Sequence, residues 1–396
     1  MRILLISRCP PYPLYLGDRL IVYHLARQLA ERDHHLDLLA LDDGAAGMEA
    51  LAHRRRYADF FQDIQVFPDS RRAFLQLARR ALLPAERFPR AADSAWSPDL
   101  WHAAQRAVSQ PYDLVHVFGG ISVYEIAGAL AHLPRLITPY ESFSLLLRRQ
   151  REVNDDRLIA RVRLAFARRY ESFMFAPYER IVVVSEADAA ELRALNPDYQ
   201  IDVIPNGVDV GYFHPTSAPR VPGQLLFVGN FSYPPNVDAA MWMAREVLPL
   251  IRAVRPDAVL RLVGSDPPPE LTALASPHIQ VTGRVEDVRP EYAAADVFLC
   301  GLRVGAGIKN KVLEALAMGC AVVATPISAD GIAITPDQHA VIAPSESAAF
   351  AAAALRALSD PTLRERLGAN GHHLVEMQYS WDRAAQQYEA LYQQIV

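Results

Sequence analysis

Short apolar runs and longer amphipathic stretches alternate along the chain, and this alternation begins twice. The apolar runs lie at residues 2–8, 36–41, 113–118, 136–138 and 180–185, and then at 225–230, 259–263, 279–282, 297–299 and 321–324. Runs this short are typical of buried strands, and strands that alternate with helices indicate parallel sheets. The pattern predicts an α/β protein with two facing, Rossmann-like, doubly wound domains. Ligands bind at the carboxyl ends of such strands, so we expect an interdomain cleft.

A Pro/Ser/Gly segment, PTSAPRVPG at 215–223, separates the two series of elements. A chain of 396 residues suits two domains. We therefore predict an N-terminal domain over 1–215 and a C-terminal domain over 222–380. The last helix, at 381–396, could cross back to the first domain.

Charge and cysteine content exclude several classes of protein. The net charge of −5 gives no bulk attraction to nucleic acid. Cys9, Cys300 and Cys320 are scattered, which fits neither a disulfide framework nor a metal site and is consistent with a reducing cytosol. The N-terminus does not resemble a signal peptide, and no apolar run approaches transmembrane length. We expect a cytoplasmic protein.

A glycine loop between residues 300 and 325 is the strongest candidate for chemistry. Gly305 and Gly307 precede a predicted helix, whose N-terminus and backbone N–H groups favour an anion. Of the 40 basic residues only Lys309 and Lys311 are lysines, and both lie here. Compact ammonium groups at this place suggest a phosphate site. The alternative is that two surface lysines fall here by chance.

The first half offers fewer candidates. Gly17 precedes the first helix and marks either a ligand loop or an ordinary turn. Tyr140 and Glu141 follow a strand, where ligands bind in such sheets, although Glu141 could instead be an acid near a helix N-terminus. His116 lies inside a strand, and we interpret it as a core residue. The chain lacks a GxGxxG sequence, which argues against a nicotinamide-dependent dehydrogenase.

Two segments, 50–110 and 148–169, mix arginines with large apolar residues. Each could form a basic amphipathic face for anionic lipid. More often, such a mixture in a single segment is a solvated helix face above a core stripe.

Six motifs in order resemble retaining GT-B glycosyltransferases of family 4, over nearly the whole chain. They are VVVSE (182–186), VIPNGVD (203–209), LLFVGN (225–230), ADVFL (295–299), KVLEALAMGCAVVAT (311–325) and YSW (379–381). YPPNVDA (233–239) and GAGIKNKVLEA (305–315) look most like the sugar transferases of bacterial exopolysaccharide systems of the PEP-CTERM/EpsH type.

The resemblance implies a UDP- or GDP-sugar donor held mainly by the second domain, with no cofactor. Glu314 would reach the ribose hydroxyls, and Lys309 would neutralise the departing diphosphate. Gly17 would belong to a loop that closes over the diphosphate. The remaining donor-binding candidates are Gly229, Asn230, Gly283, Arg284, Gly305, Ala306, Gly307, Ile308 and Lys311.

This chain departs from the family pattern at three places. Ala306 stands where the family often has a first Glu. Asn230 and Pro235 stand where it often has an Arg and a Lys. Tyr140 or Glu141 takes the place of a strand-end His. The catalytic candidates are therefore Lys309, Arg303, Glu141 and Tyr140, with Arg303, Lys309 and Lys311 available to form the cationic clamp.

Catalysis in this family requires charge stabilisation on a leaving diphosphate. Because the chain has no Asp-x-Asp sequence, we expect a site without metal. The expected function is transfer of a sugar, with retention, to a glycan, lipid-linked or small-molecule acceptor in surface polysaccharide or glycoconjugate synthesis. The enzyme could sit on the inner face of the cytoplasmic membrane. Alternatives are a nucleotide-sugar isomerase of the 2-epimerase type and a non-catalytic nucleotide-sugar-binding protein. The donor base and sugar, the acceptor and the oligomeric state stay open.

Overall fold

The computed structural model describes residues 1–14, 17–44, 50–69, 74–130, 132–154 and 158–396. The chain forms two compact units. Unit 1 comprises Met1–Ile204 and Trp381–Val396, and unit 2 comprises Pro205–Ser380. Parts of both arginine-rich segments, residues 70–73 and 155–157, lie outside the described residues.

Unit 1 is built on a parallel sheet, seven-stranded in its described part, with the order β3-β2-β1-β4-β5-β6-β7. Its strands are β1 (Arg2–Ser7), β2 (His35–Asp42), β3 (Asp63–Pro68), β4 (Leu114–Phe118), β5 (Arg135–Tyr140), β6 (Arg180–Val183) and β7 (Ile201–Val203). The apolar run of β1 is wholly buried from Ile3 to Ile6, as expected for a central strand.

Helices connect these strands. They are α1 (Gly17–Ala30), α2 (Ala50–Arg54), α3 (Phe74–Leu82), α4 (Pro98–Ala107), α5 (Phe143–Asn154), α6 (Leu158–Glu171) and α7 (Glu186–Leu195). Side chains fix two of their starts, since Ser97 accepts from the Leu100 N–H and Ser185 accepts from the Asp188 N–H.

Unit 2, whose residues are all described, has a six-stranded parallel sheet in the order β10-β9-β8-β11-β12-β13. Its strands are β8 (Gln224–Val228), β9 (Val259–Val263), β10 (Ile279–Gly283), β11 (Val297–Cys300), β12 (Val322–Ala324) and β13 (Val341–Ile342). Its helices are α8 (Pro234–Trp242), α9 (Leu248–Val254), α10 (Pro269–Thr272), α11 (Arg289–Ala294), α12 (Asn310–Ala317), α13 (Pro326–Ala329), α14 (Ser347–Ser359) and α15 (Pro361–Gln378). A π-helical turn, Met243–Val247, joins α8 to α9.

The last helix, α16 (Trp381–Ile395), belongs to unit 1. Trp381 stacks on His24 of α1, with ring centroids 5.0 Å apart. His116 of β4 is fully buried, with Nδ1 2.7 Å from the Tyr392 hydroxyl of α16 and Nε2 2.8 Å from the Thr138 hydroxyl of β5. Burial lowers the pKa of His116 well below its usual value. The interpretation of His116 as a satisfied core residue is confirmed.

The predicted α/β class with two Rossmann-like parallel sheets is confirmed. The pattern missed β3, whose residues are mostly exposed at the sheet edge and so lack a buried apolar run. The chain divides after Ile204, ahead of the predicted linker at 215–223. This linker packs on unit 2 instead, because Arg220 donates to the Gly319 carbonyl at 2.8 Å. Val208 likewise donates to the Tyr379 carbonyl at 2.7 Å.

Candidate active site

The sheet order of unit 2 creates a switch point between β8 and β11. The strands that follow β8 and β11 in sequence pair on opposite sides of this boundary, so the loops after them diverge at the carboxyl edge. These loops span residues 229–233 and 301–309. The predicted glycine loop therefore lies where open α/β sheets bind ligands.

Lys309 folds back over its own loop. It is only 9% exposed, and its Nζ donates to the carbonyl oxygens of Ala306, at 2.7 Å, and Gly307. A Cβ placed on Gly305 would lie 3.0 Å from Cε of Lys309, so this glycine leaves room for the lysine. Gly307 has φ +64°, a conformation that glycine adopts without strain. Ala306 and Ile308 are buried. The loop thus holds one positive charge against its own backbone.

Lys311 points to the other loop of the switch point. Its Nζ donates to Oδ1 of Asn236 in α8 and lies 4.6 Å from the centroid of the Phe227 ring. Burial, and to a smaller extent the neighbouring Lys309, lower the pKa of Lys311 to about 8. A Cβ on Gly229 would lie 3.0 Å from Nζ of Lys311. The two lysines therefore occupy adjoining but different positions.

Asn230 shapes the loop after β8. Its Oδ1 accepts hydrogen bonds from the Ser232 N–H at 2.9 Å and the Ser265 hydroxyl at 3.2 Å. Its carbonyl accepts from Nδ2 of Asn236 at 2.7 Å. The amide in the place of the family's arginine thus connects the loops after β8 and β9.

Sequence reasoning missed Gly264, which follows β9. A Cβ at this position would lie 1.7 Å from the Gly229 carbonyl oxygen, so only glycine fits. The Gly264 N–H donates to the Gly283 carbonyl at 3.0 Å. Glycines thus lie at the ends of three neighbouring strands. This shared position at strand ends is the sequence signal that could have identified Gly264.

Glu314, on α12, accepts a hydrogen bond from the hydroxyl of Tyr292 at 2.9 Å. Burial raises the pKa of Glu314. Tyr292 is 1% exposed and lies on α11. The sequence did not single it out, because a tyrosine in a short helix has no distinctive spacing.

Arg303 forms an ion pair with Asp238, which lies outside the glycine loop. Its guanidinium pairs with Asp238 of α8, with Nε 2.9 Å from Oδ2, and lies 5.6 Å from the Trp242 ring centroid. The hydrogen bond to Asp238 is the main cause of its raised pKa. Arg284 is exposed and follows Gly283 at the end of β10. The structure therefore brings Lys309 and Lys311 together, while Arg303 rests against α8.

Unit 1 has its own switch point, between β1 and β4. Arg8, which follows β1, pairs with Asp18 in the first turn of α1 and lies 5.7 Å from the Tyr140 ring centroid. Gly17 is exposed and begins α1. Burial raises the pKa of Tyr140 well above its usual value. The structure thus brings Tyr140 close to Arg8 and Asp18, which the sequence analysis did not single out. Arg8 directly follows β1, and Asp18 lies in the first turn of α1.

Glu141 lies two residues before the start of α5. The buried carboxylate of Glu171 accepts from the N–H groups of Phe143 and Ser144 and from the Ser142 hydroxyl. Asp188 accepts from the Ser142 N–H at 2.8 Å. Burial raises the pKa of Glu171 to about 7, against the opposing effect of these hydrogen bonds. Glu141 itself is half-buried in the bend between β5 and α5.

Among the described residues, no group of three or more His, Cys, Asp or Glu side chains could hold a metal ion. Within the same residues, every helix is too short or too polar to cross a lipid bilayer.

Family models match both parts of the chain. Residues 20–212 match the model described as Glycosyltransferase Family 4, and residues 222–360 match the model described as Glycosyl transferases group 1. Each half of the chain is therefore similar to a glycosyltransferase domain. The segment matched by the group 1 model contains Lys309, Lys311 and Glu314, and the segment matched by the family 4 model contains Tyr140 and Glu141.

Curated relatives are mannosyltransferases. The phosphatidyl-myo-inositol mannosyltransferase of Mycobacterium tuberculosis is 29% identical over 232 residues, which cover 54% of this chain and 59% of that protein. The enzyme of the same name from Mycobacterium leprae is 31% identical over 229 residues, with the same coverage. A GDP-mannose-dependent monoacylated alpha-(1-6)-phosphatidylinositol monomannoside mannosyltransferase of Corynebacterium glutamicum is 28% identical, covering 45% of this chain and 52% of that protein. The chain thus spans less than two thirds of the length of these relatives.

Solved structures share the α/β fold of this chain. Sucrose-phosphate synthase from Thermosynechococcus elongatus superposes with a TM-score of 0.72 at 19% identity, covering 99% of this chain and 98% of that one. Anabaena HepE in complex with UDP gives a TM-score of 0.67 at 16% identity and covers both chains fully, at 100%. Both neighbours support the GT-B fold.

Proposed function

We propose that this protein transfers a sugar from a nucleoside-diphosphate sugar to a hydroxyl group of an acceptor. The observation that carries the proposal is the glycine loop 305–309 at the switch point of the group 1 domain, with Lys309 and Lys311 beside it. Two cations and a helix N-terminus at one sheet edge suit a diphosphate, whose negative charge grows as the glycosidic bond breaks.

Each donor-side residue has a separate role in this proposal. Lys309 exchanges its backbone carbonyl partners for the diphosphate and neutralises the leaving group. Glu314, held by Tyr292, accepts hydrogen bonds from the ribose hydroxyls. Gly283 and Arg284 border the base. The base is uridine or guanosine, and the named GDP-mannose dependence of the Corynebacterium relative supports testing guanosine first.

The reaction is proposed to retain the anomeric configuration and to need no metal ion. In same-face attack, the bond from the anomeric carbon to the diphosphate oxygen breaks as the acceptor oxygen approaches. The acceptor proton passes to the leaving diphosphate oxygen. Lys309 and Lys311 are then the cations that stabilise this charge, because Arg303 is neutralised by Asp238.

The acceptor is proposed to be a glycan or a lipid-linked molecule, presented at the cytoplasmic face of a membrane. Relatives named for phosphatidyl-myo-inositol support a lipid acceptor. The motifs at 233–239 and 305–315 support a place among the exopolysaccharide sugar transferases. The first domain is proposed to bind the acceptor near Tyr140 and Glu141, with Gly17 in a ligand-binding loop of the same domain.

The test is incubation of the purified protein with a panel of UDP- and GDP-sugars, followed by measurement of nucleoside diphosphate release without added acceptor. Slow release from one donor is expected and identifies base and sugar together. An isomerase would instead convert the donor sugar without releasing diphosphate, which would contradict the proposal. Tight diphosphate binding without turnover, even with lipid and glycan acceptors, would support a non-catalytic binding protein, for which Ala306 in place of the family's Glu is the motivating feature.

A further inference from the structure

Two neighbouring helices of unit 1 expose large aliphatic side chains. Leu158 and Ile159 of α6 are 75% and 73% exposed, and Leu75 and Leu82 of α3 are 69% and 63% exposed. Single exposed apolar residues are common on protein surfaces, whereas a group of them marks an interaction site. Other residues of these helices face the core: Leu164, Ala167 and Tyr170 in α6, and Arg80 and Ala81 in α3.

The two helices contact each other near the C-terminal end of α6. Leu158, Val162, Ala165 and Arg169 follow one another at helical spacing, so they form a single row along α6. At the end of this row, Nε of Arg169 donates to the Ala81 carbonyl of α3 at 3.1 Å. Ala81 directly precedes the exposed Leu82. We call the surface formed by Leu75, Leu82, Leu158, Ile159 and Val162 the docking face.

The charge around the docking face is positive. The described sequences of α3 and α6 carry six arginines and a single acid, Glu171. Three of these arginines pair with acids on other elements: Arg79 with Glu86, Arg80 with Glu125 and Arg168 with Glu191. Glu171 is 1% exposed and lies in the hydrogen-bond network at the start of α5, so it adds little charge to the surface. Exposed arginines flank the apolar row: Arg161 and Arg168 on one side and Arg163 on the other. The partner of such a surface is apolar and anionic at once.

We propose that the docking face binds the surface of an anionic lipid bilayer. The aliphatic side chains enter the boundary between headgroups and acyl chains, and the arginines interact with lipid phosphates. A nucleic acid would leave the aliphatic side chains in water. This proposal deepens the proposed function and rests on it only for the lipid-linked acceptor, since vesicle binding requires no nucleotide sugar.

The structure also limits the face to part of the arginine-rich sequence. Phe60 and Phe61, in the first segment, pack with Tyr23 and Tyr57 at ring-centroid distances of 5.2 and 6.3 Å. Arg80 is buried and pairs with Glu125 at 3.3 Å. These residues stabilise unit 1 and are not available to lipid, so within the described part of the chain the lipid-binding interpretation is kept for the exposed residues of α3 and α6.

The experiment is co-sedimentation of the full-length protein with vesicles of phosphatidylcholine alone or mixed equally with phosphatidylglycerol. Binding to the mixed vesicles is expected at low salt, with loss in high salt. The double variant Leu158→Ser/Ile159→Ser is expected to weaken binding roughly tenfold or more, since two large apolar side chains are lost. Arg161→Glu/Arg163→Glu is expected to abolish the preference for anionic vesicles.

Matched controls come from unit 2. Leu250→Ser/Val254→Ser removes two exposed aliphatic residues from α9, which are 42% and 64% exposed, and is expected to leave binding unchanged. Thermal unfolding verifies that each variant folds, and donor turnover in solution is measured alongside. Failure of the wild type to bind anionic vesicles, or equal binding by the docking-face variants, would overturn the proposal. A dimer that Leu158→Ser/Ile159→Ser converts to a monomer, with vesicle binding unchanged, would assign the face to a second copy instead.

Discussion

The hydroxyl of Tyr292 lies 2.9 Å from Oε2 of Glu314, the carboxylate expected to bind the donor ribose. Tyr292 is a positioning residue in this arrangement, because it orients a group that would touch the substrate. Tyr292→Phe is expected to raise the KM for the donor by about three- to tenfold, which corresponds to one lost hydrogen bond, with little change in kcat. Steady-state kinetics measure KM and kcat separately.

Tyr212→Phe is the matched control for that variant. Its hydroxyl is 3.2 Å from Asp287 and its side chain is 41% exposed. It is expected to leave both constants unchanged. An equal fall in kcat in Tyr292→Phe would indicate a general disturbance of the domain and contradict a positioning role.

Lys309 is expected to dominate turnover. Lys309→Ala removes the charge that neutralises the leaving diphosphate, and turnover should fall by about a hundredfold or more. Diphosphate release at saturating donor is the measurement. Arg356→Ala, which removes an exposed cation paired with Asp337 in the same unit, is expected to retain full turnover. Wild-type turnover in Lys309→Ala would remove this residue from the mechanism.

The lowered pKa of Lys311 predicts that activity falls at alkaline pH. Burial lowers its pKa to about 8, so its ammonium is charged below that pH and is lost as the pH rises through it. The value of kcat/KM for the donor reports groups of the free enzyme and should therefore fall above about pH 8. Lys311→Arg keeps the charge and should remove this loss. A wild-type profile that stays flat above this range would show that Lys311 makes no contribution to donor binding.

Gly264 should tolerate no side chain. Gly264→Ala places a Cβ 1.7 Å from the Gly229 carbonyl oxygen, so the loops after β8 and β9 must separate. We expect the free energy of unfolding to fall by about 3 kcal/mol or more. Gly283→Ala is the comparison: nothing lies within 4 Å of its Cβ, and only its φ of +72° is strained. It should lose about 1–2 kcal/mol. If denaturant unfolding shows that both variants lose the same free energy of unfolding, the close approach of Gly264 to the Gly229 carbonyl oxygen is contradicted.

The hydrogen bond from α16 to β4 should stabilise unit 1. Tyr392→Phe leaves Nδ1 of His116 buried without its partner at 2.7 Å, and unfolding free energy should fall by about 1–3 kcal/mol. Tyr388→Phe removes only a longer contact, 3.4 Å from the Thr138 hydroxyl, and should cost less. Thermal unfolding compares the two variants. A larger loss of stability in Tyr388→Phe than in Tyr392→Phe would show that the hydrogen bond to His116 is not the stabilising contact.

The sequence by itself determined the alternation of strands and helices, the two-sheet class and the glycine loop with both lysines. These features are local: an apolar run is buried wherever its strand pairs, and a glycine before a helix leaves its N-terminus open. The same dependence on local pattern explains why the sequence did not predict β3, an edge strand whose residues are mostly exposed.

Only the tertiary structure decided which loops meet. Strand order depends on pairing between distant segments, and that order brought Lys311 to Asn236, Gly264 to Gly229 and Tyr292 to Glu314. It also assigned the segment at 215–223 to unit 2 and turned Leu158 and Leu82 outward. An amphipathic pattern shows that two faces differ, but which face is buried follows from the neighbours that pack against it.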